Sequence, residues 1–405
     1  MEKETDGQCM KGKHQMAEIP SKNKKLLLLV AGAKGAIGST LAGAVSVMKF
    51  APEKIVSYLT TEKQTLGPFM ARDFEMAGWD KSRDTLAQAM TQHGVLPDFV
   101  QEGIRKDGGS VPVETSADQT LPVQKQVEKI MADIKAFRKG REEANPVLVN
   151  LLPACPASDL ESLHSLEKLY ERNPEQVPPD LAYVIGAVLS GVPVVNFTPN
   201  RVEIPAVVQE AVQRKIPISG RDGKTGQTYL KMVLASALKA RSLQVNGWYS
   251  LNILGNADGR NLMNPENAAT KLMNKTDLLD EILGYSVGAK YDSPSHKVHI
   301  DYYPPRGDAK EAWDVIDFEG LLGMPMSLRI NLQGRDSILA APLVLDLCRW
   351  MAALQNAGRA GLVPELAFFF KKPAGGKRLL TFQDQVIALE SLEKELIDHD
   401  RKDGI

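Results

Sequence analysis

Five apolar residues in succession, Leu26-Leu27-Leu28-Leu29-Val30, end at the glycine cluster Gly32-Ala33-Lys34-Gly35-Ala36-Ile37-Gly38, and small residues follow from Ser39 to Phe50. An unbroken apolar run bounded by glycine predicts a strand buried on both faces, and the small-residue stretch predicts a helix lying close to it. Lys54 to Leu59 reads as the next strand, so the chain opens in the strand, turn, helix, strand order of a doubly wound parallel sheet. Pro146 to Leu152 and Val192 to Phe197 continue that sheet, with a helix over Asp180 to Leu189 between them. The polar interval Gly103 to Thr120 reads as an exposed loop or insertion. After Ser219 the texture changes. Val245 to Ile253 and Lys297 to Tyr303 alternate apolar and polar residues and Met326 to Leu332 adds a similar run, which predicts a second, more antiparallel layer between about 229 and 338. Apolar Leu339, Leu343, Leu347 and Met351 then mark a helix from Ser337 to Ala357.

Length and charge narrow the picture. At 405 residues the chain exceeds what one core usually holds, so two domains, or one with a large insertion, are expected. A net charge of −1 gives no field for steering onto nucleic acid, and any anion site must be local. Cys9, Cys155 and Cys348 are widely separated and form neither a metal-spaced cluster nor an even disulfide set, which suits a reducing compartment. Met1 to Lys25 is charged, lacks the apolar centre of a secretory signal and reads as a mobile tail. No run approaches the roughly eighteen apolar residues of a membrane helix, so a soluble cytoplasmic protein is expected.

Candidate chemistry begins at the glycine turn. A dinucleotide's pyrophosphate needs backbone that approaches closely and a helix whose free N–H groups face the phosphates. Gly32, Gly35 and Gly38 supply such a turn, but as G-x-x-G-x-x-G, with Lys34 where a second glycine would stand; Lys34 either touches phosphate or points to solvent. Beyond the second predicted strand come Thr60, Thr61 and, late, Glu62 as a ribose partner, which does not decide NAD against NADP.

Further along, Ser219 to Thr228 is too dense in glycine and charge for plain helix or strand and reads as a loop opening onto a site. Leu254 to Gly259 is a second polar glycine turn, followed by Lys271 and Lys275, four residues apart. On a helix those ammonium groups share one face and oppose each other by roughly 0.2–0.5 kcal/mol, which an anion relieves; the plain alternative is a solvated face. Arg306 to Lys310 repeats the turn ending in lysine, and Asp336 precedes the last predicted helix. Lys371 follows apolar Leu366 to Phe370 and is either a desolvated proton carrier or a helix-end cation.

Taken in order, these segments resemble the myo-inositol-1-phosphate synthase family. The resemblance begins at Asp73 to Leu96 with Gly78-Trp79-Asp80 and continues through Gly191 to Pro199. It is closest from Ser219 to Pro342, where Ser219-Gly220-x-Asp222-x-Lys224-x-Gly226-Gln227-Thr228, Leu254-Gly255-Asn256-x-Asp258-Gly259, Gly307-Asp308-x-Lys310 and Asp336-Ser337-x-Leu339-Ala340-Ala341-Pro342 follow the family's order.

The resemblance implies an α/β fold with a Rossmann-type NAD-binding domain over 26–228, an inserted α+β catalytic and oligomerisation domain over 229–338, and a C-terminal return to the first domain over 339–405. It implies redox-neutral cyclisation of glucose 6-phosphate: oxidation at C5 by bound NAD, loss of a proton from C6, closure of the enolate on the C1 aldehyde, and reduction at C5. By resemblance Lys271, Lys275, Lys310 and Lys371 bind phosphate, stabilise the enolate and move protons, while Asp222, Asp258 and Asp336 orient those lysines, relay protons or meet the nicotinamide. Gly32 to Gly38, Asn256, Asp258, Asp336 and Ser337 would hold the cofactor. A homotetramer is implied, and a monovalent or divalent cation is left open.

The chain departs from the family at Lys34, at Ala257 in place of a second asparagine, at Arg221 in place of an acid, and over Asn150 to Pro156. Rival readings are an NAD-dependent sugar-phosphate dehydrogenase, a synthase of another aldose phosphate, and a non-catalytic sensor of NAD or sugar phosphate.

Overall fold

A computed structural model describes residues 25–55, 59, 61, 73–106, 111–156, 158–256, 259–260, 262–263, 278–376 and 379–402. The apolar run forms β1 (Lys25–Ala31), whose residues from Leu26 onward are wholly inaccessible to solvent. Leu26, Leu28 and Val30 face one core and Leu27, Leu29 and Ala31 the other, as the twofold period of a strand requires. The glycine turn leads into α1 (Ala36–Phe50).

The strand beside β1 is β2 (Asp73–Asp80), not the Lys54 to Leu59 segment: Pro52–Lys54 forms a 3-10 turn, and 56–58 lie outside the described residues. Asp73 to Asp80 pairs with β1 in a complete parallel register. Next come α2 (Leu86–His93), α3 (Asp98–Lys106) and β3 (Val113–Thr115), an edge strand inside the interval read as loop. With a single short partner, β3 carries no apolar alternation to announce it.

The remaining elements of the first sheet are α4 (Val123–Arg138), β4 (Ala144–Asn150), α5 (Leu166–Tyr170), α6 (Asp180–Leu189), β5 (Val194–Asn196), α7 (Pro205–Gln213) and β6 (Pro217–Gly220). Then α8 (Gly226–Ala240) leads to β7 (Gln244–Leu254), β8 (His296–Tyr302), β9 (Ala309–Glu319) and β10 (Pro325–Arg335). Last come α9 (Asp336–Asn356), β11 (Gly361–Leu362) and α10 (Phe382–Lys402).

The first sheet runs β3-β2-β1-β4-β5-β6-β11, and every pair in it is parallel. Strand order reverses between β1 and β4, where open α/β sheets bind ligands at the carboxyl ends of their strands. Helices α1 and α9 cover one face, and α4, α6 and α7 the other. The second sheet runs β10-β9-β7-β8; its β9 was not read from the sequence. In this layer, expected to be more antiparallel, β9 is antiparallel to both β10 and β7, while β7 and β8 are parallel. A parallel pair needs a long crossover, here residues 255–295. Helix α8 packs on one face of this sheet through Met232 and Ala235 against Trp248 and Ile316.

Helix α9 also corrects the expectation that no segment matches a membrane helix. Its 21 residues have the length and hydropathy to cross one, but 78% of its most apolar window is buried inside the protein. It is the central core helix of the first sheet, and its buried Asp346 and Arg349 both meet Thr61 by hydrogen bonds. Of residues 1–25, expected as a tail, Lys25 opens β1 and 1–24 lie outside the described residues.

Candidate active site

The glycine turn is built for close approach. Gly32 adopts φ +88°, which glycine accommodates without strain, and the amides of Gly32 and Ala33 donate to the Trp79 carbonyl at 2.9 and 3.0 Å. A Cβ on Gly38 would stand 2.4 Å from the Gly32 carbonyl oxygen, so only glycine lets α1 pack this near the turn. Gly35 caps α1 without a side-chain bond and no acid sits in the first turn, so the leading N–H groups of α1 meet no competing carboxylate. These features fit a dinucleotide's pyrophosphate.

Lys34 does not simply point to solvent. Its ammonium donates to the Ser82 carbonyl at 2.8 Å, its amide donates to Asp80 Oδ2 at 2.8 Å, and its carbonyl lies 2.9 Å from His93 Nε2. The residue thereby fastens the turn to the end of β2. Asp80 is the acid that the sequence reading missed. It ends the strand beside β1, the place for a ribose-binding carboxylate, while the expected Glu62 lies outside the described residues.

Across the carboxyl edge of the sheet, lysines and aspartates from distant stretches meet. Lys371 donates to Asp222 Oδ1 at 2.9 Å, and the Lys371 amide donates to the Asp222 carbonyl at 2.7 Å. Asp222 holds φ +60°, a left-handed conformation that aspartate tolerates better than most residues. Lys310, near the start of β9, donates to Asp336 Oδ2 at 3.2 Å, and Thr225 donates to Asp336 Oδ1 at 3.2 Å. Burial raises the Asp336 carboxyl, but Lys310 and Lys371 outweigh it and hold the group below the usual carboxylate range. A Cβ on Gly226 would stand 3.2 Å from Asp336 Oδ1, which places the first turn of α8 in the same cluster.

Asp308 is a further member, present in the sequence motif but given no role there. The Asp308 carboxyl is raised by burial against the pull of Arg335, 3.8 Å away, and Asn256 donates to it. His93, already bonded to Lys34, also acts on its charge, linking the glycine turn to the second sheet. Asn252 is buried on the face of β7 that carries Ser250, and its amide finds no partner among the described residues. The signal for Asp308 was present in Gly307-Asp308-x-Lys310; Asn252 sits in a strand whose alternation reads as ordinary packing.

Ser337 is buried in the first turn of α9, and Asn256 accepts from the Gly259 amide at 3.1 Å. Lys271, Lys275, Asp258 and Ala257 lie outside the described residues. Arg221, where the family has an acid, places its Nε 3.2 Å from Glu203, so the reversed charge is matched locally. Burial, reinforced by Asp180, pushes the Cys155 thiol up to about 11, so it stays protonated near neutral pH. Among the described residues no cluster of His, Cys, Asp or Glu could hold a metal ion.

A parallel sheet with a glycine turn at its switch point, and a lysine–aspartate cluster where a second sheet meets its carboxyl edge, define a Rossmann-type α/β protein with a site for a small anionic molecule. The description myo-inositol-1-phosphate synthase belongs to the family model that matches residues 226–337. Inositol-3-phosphate synthase 1 of Bacteroides thetaiotaomicron is 34% identical over 390 residues, covering 88% of this chain and 91% of that protein. An inositol-3-phosphate synthase from Caenorhabditis elegans shares the fold with a TM-score of 0.76 at 22% identity, over 93% of this chain and 86% of that one. A myo-inositol-1-phosphate synthase-related protein from Thermotoga maritima does so at 0.70 and 20%, over 92% and 98%. The chain belongs to the myo-inositol-1-phosphate synthase family and is an enzyme of the isomerase and intramolecular lyase class.

Proposed function

We propose that the enzyme cyclises D-glucose 6-phosphate to 1D-myo-inositol 3-phosphate on a captive NAD. The observation that carries this reading is the convergence of Lys310, Lys371, Asp222 and Asp336 beside the first turn of α8. NAD, when bound, supplies the acceptor for hydride from C5 and returns it after ring closure; the turn Gly32 to Gly38 and Asp80 would hold it. The leading N–H groups of α8, with Lys310, suit the substrate's phosphate. Lys371, held by Asp222, is placed to stabilise the enolate oxygen and to pass a proton, because an ammonium aimed at developing negative charge in a shielded site lowers the barrier most. Asp336 keeps Lys310 oriented through a charge-assisted bond. Lys271, Lys275 and Asp258 are assigned to the same site by family membership.

We read the protein as a cytoplasmic homotetramer. The outer face of the second sheet, opposite α8, presents Tyr249, Leu251, Trp313 and Val315, and the β9–β10 turn exposes Leu321 and Leu322 at 91% and 88%. Apolar surface of this kind suits burial against a second copy.

The test is incubation of purified protein with glucose 6-phosphate and NAD. Inositol phosphate should accumulate with no net NADH. Net NADH without a cyclised product would instead mean a dehydrogenase, and no turnover together with retained NAD binding would mean a sensor.

A further inference from the structure

Beneath the first turn of α8 lies a buried polar chain that none of the assigned roles uses. Gln227 and Lys231, one turn apart on the inner face of α8, both reach the second sheet. Asp314 on β9 accepts from Gln227 Nε2 at 2.9 Å through Oδ2, and from Ser250 Oγ at 2.5 Å and Trp248 Nε1 at 2.8 Å through Oδ1. Three donors at two oxygens match an ionised carboxylate, which only accepts. The Lys231 ammonium donates to Ser250 Oγ at 3.3 Å, lies 2.7 Å from His296 Nε2, and stands 5.3 Å from the centre of the Trp248 ring. Ser250 thus links cation to carboxylate. His296 faces that ammonium through Nε2.

Burial pushes Lys231 down to about 8 and Asp314 draws it back up, so the lysine is mainly cationic near neutral pH. Asp314 and Lys231 therefore set one negative charge against one positive charge. An unbalanced carboxylate in direct contact with Gln227 would repel a phosphate at the amino end of α8, and in a water-poor interior that repulsion is poorly screened.

We propose that Lys231 is a charge-balancing positioning residue: its ammonium offsets Asp314, so that Asp314 can fix Gln227 and the first turn of α8 without weakening the phosphate site. The inference rests on the phosphate assignment made above and deepens it.

The experiment measures inorganic phosphate binding by calorimetry, and KM and kcat for glucose 6-phosphate, in the wild type, Lys231→Met, Asp314→Asn and the double variant. Lys231→Met should weaken phosphate binding and raise KM by at least about tenfold while kcat changes by less than about threefold, because the loss falls on ground-state binding. Adding Asp314→Asn should bring both back to within about threefold of wild type, as removal of the stranded charge requires. A purely structural role predicts a double variant at least as impaired as Lys231→Met, and that result overturns the inference. Should Lys231→Met not fold, Asp314→Asn alone decides: it leaves the lysine's charge in place, so phosphate should bind at least as tightly as in wild type, and weaker binding refutes the idea. A wild-type protein that does not bind phosphate removes the site assignment itself and this inference with it.

Discussion

Lys371 shows how one residue acquires a function from its neighbours. It follows the buried Phe369 and Phe370, and two contacts tie it to Asp222, a residue 149 positions earlier in the chain. Its ammonium is therefore aimed before substrate arrives. Lys371→Met should lower kcat by about two to three orders of magnitude, as loss of a preorganised electrostatic group does, while thermal unfolding still shows a cooperative folded protein. Near wild-type turnover would remove Lys371 from the catalytic set. From sequence, Lys371 was ambiguous between proton carrier and helix-end cation, because pairing with Asp222 depends on the path of the chain and not on spacing. Lys34 was ambiguous for the same reason: its partners Asp80 and Ser82 lie on another strand's exit.

Elements were legible where burial imposes a period and obscure where it does not. The run Leu26 to Val30 announced β1, and small residues announced α1, since both pack on two sides. The edge strand β3 and the strand β9 were missed; β9 begins in a glycine turn and mixes Lys310, Glu311 and Asp314 with its apolar residues because it lines the site. The order of motifs, more than periodicity, made the site residues legible. At the same scale, Gly38→Ala tests the junction of turn and helix. A methyl group placed 2.4 Å from the Gly32 carbonyl oxygen forces turn and α1 apart, so stability should fall by roughly 1–3 kcal/mol in denaturant titrations. NAD affinity measured by fluorescence should fall with it, and unchanged affinity would place the cofactor elsewhere.

The molecule as a whole joins its C-terminal part to its catalytic loop through Lys224. This side chain is 3% exposed, donates to the Ala367 carbonyl at 3.2 Å and also meets Gln385 of α10. Burial pushes it down to about 7. An ordinary lysine in the unfolded chain keeps its proton to a much higher pH, so between these values the unfolded state binds more protons. The cost of burying the charge is then fully present below about pH 7 and is relieved as pH rises toward about 10, which makes this lysine's contribution to stability increase with pH by an amount on the order of a few kcal/mol. Urea titrations across that range should show a smaller rise in Lys224→Met; an unchanged slope would mean that the lysine is hydrated. Assembly is tested at this scale too. If the proposed tetramer forms through this turn, glutamates at both Leu321 and Leu322 should shift it toward smaller species in sedimentation, and no shift would place the subunit contact elsewhere.

The dependence of Asp222 on Lys371, and of Lys224 on Gln385, carries a consequence for which part of the chain completes the site. The segment through β11 holds both sheets, yet it has no ammonium to meet Asp222 and lacks Leu389, Leu392 and Leu396 of the core cluster that also contains α9. The dinucleotide fold by itself therefore leaves the site incomplete, because the segment after α9 supplies the ammonium that Asp222 meets.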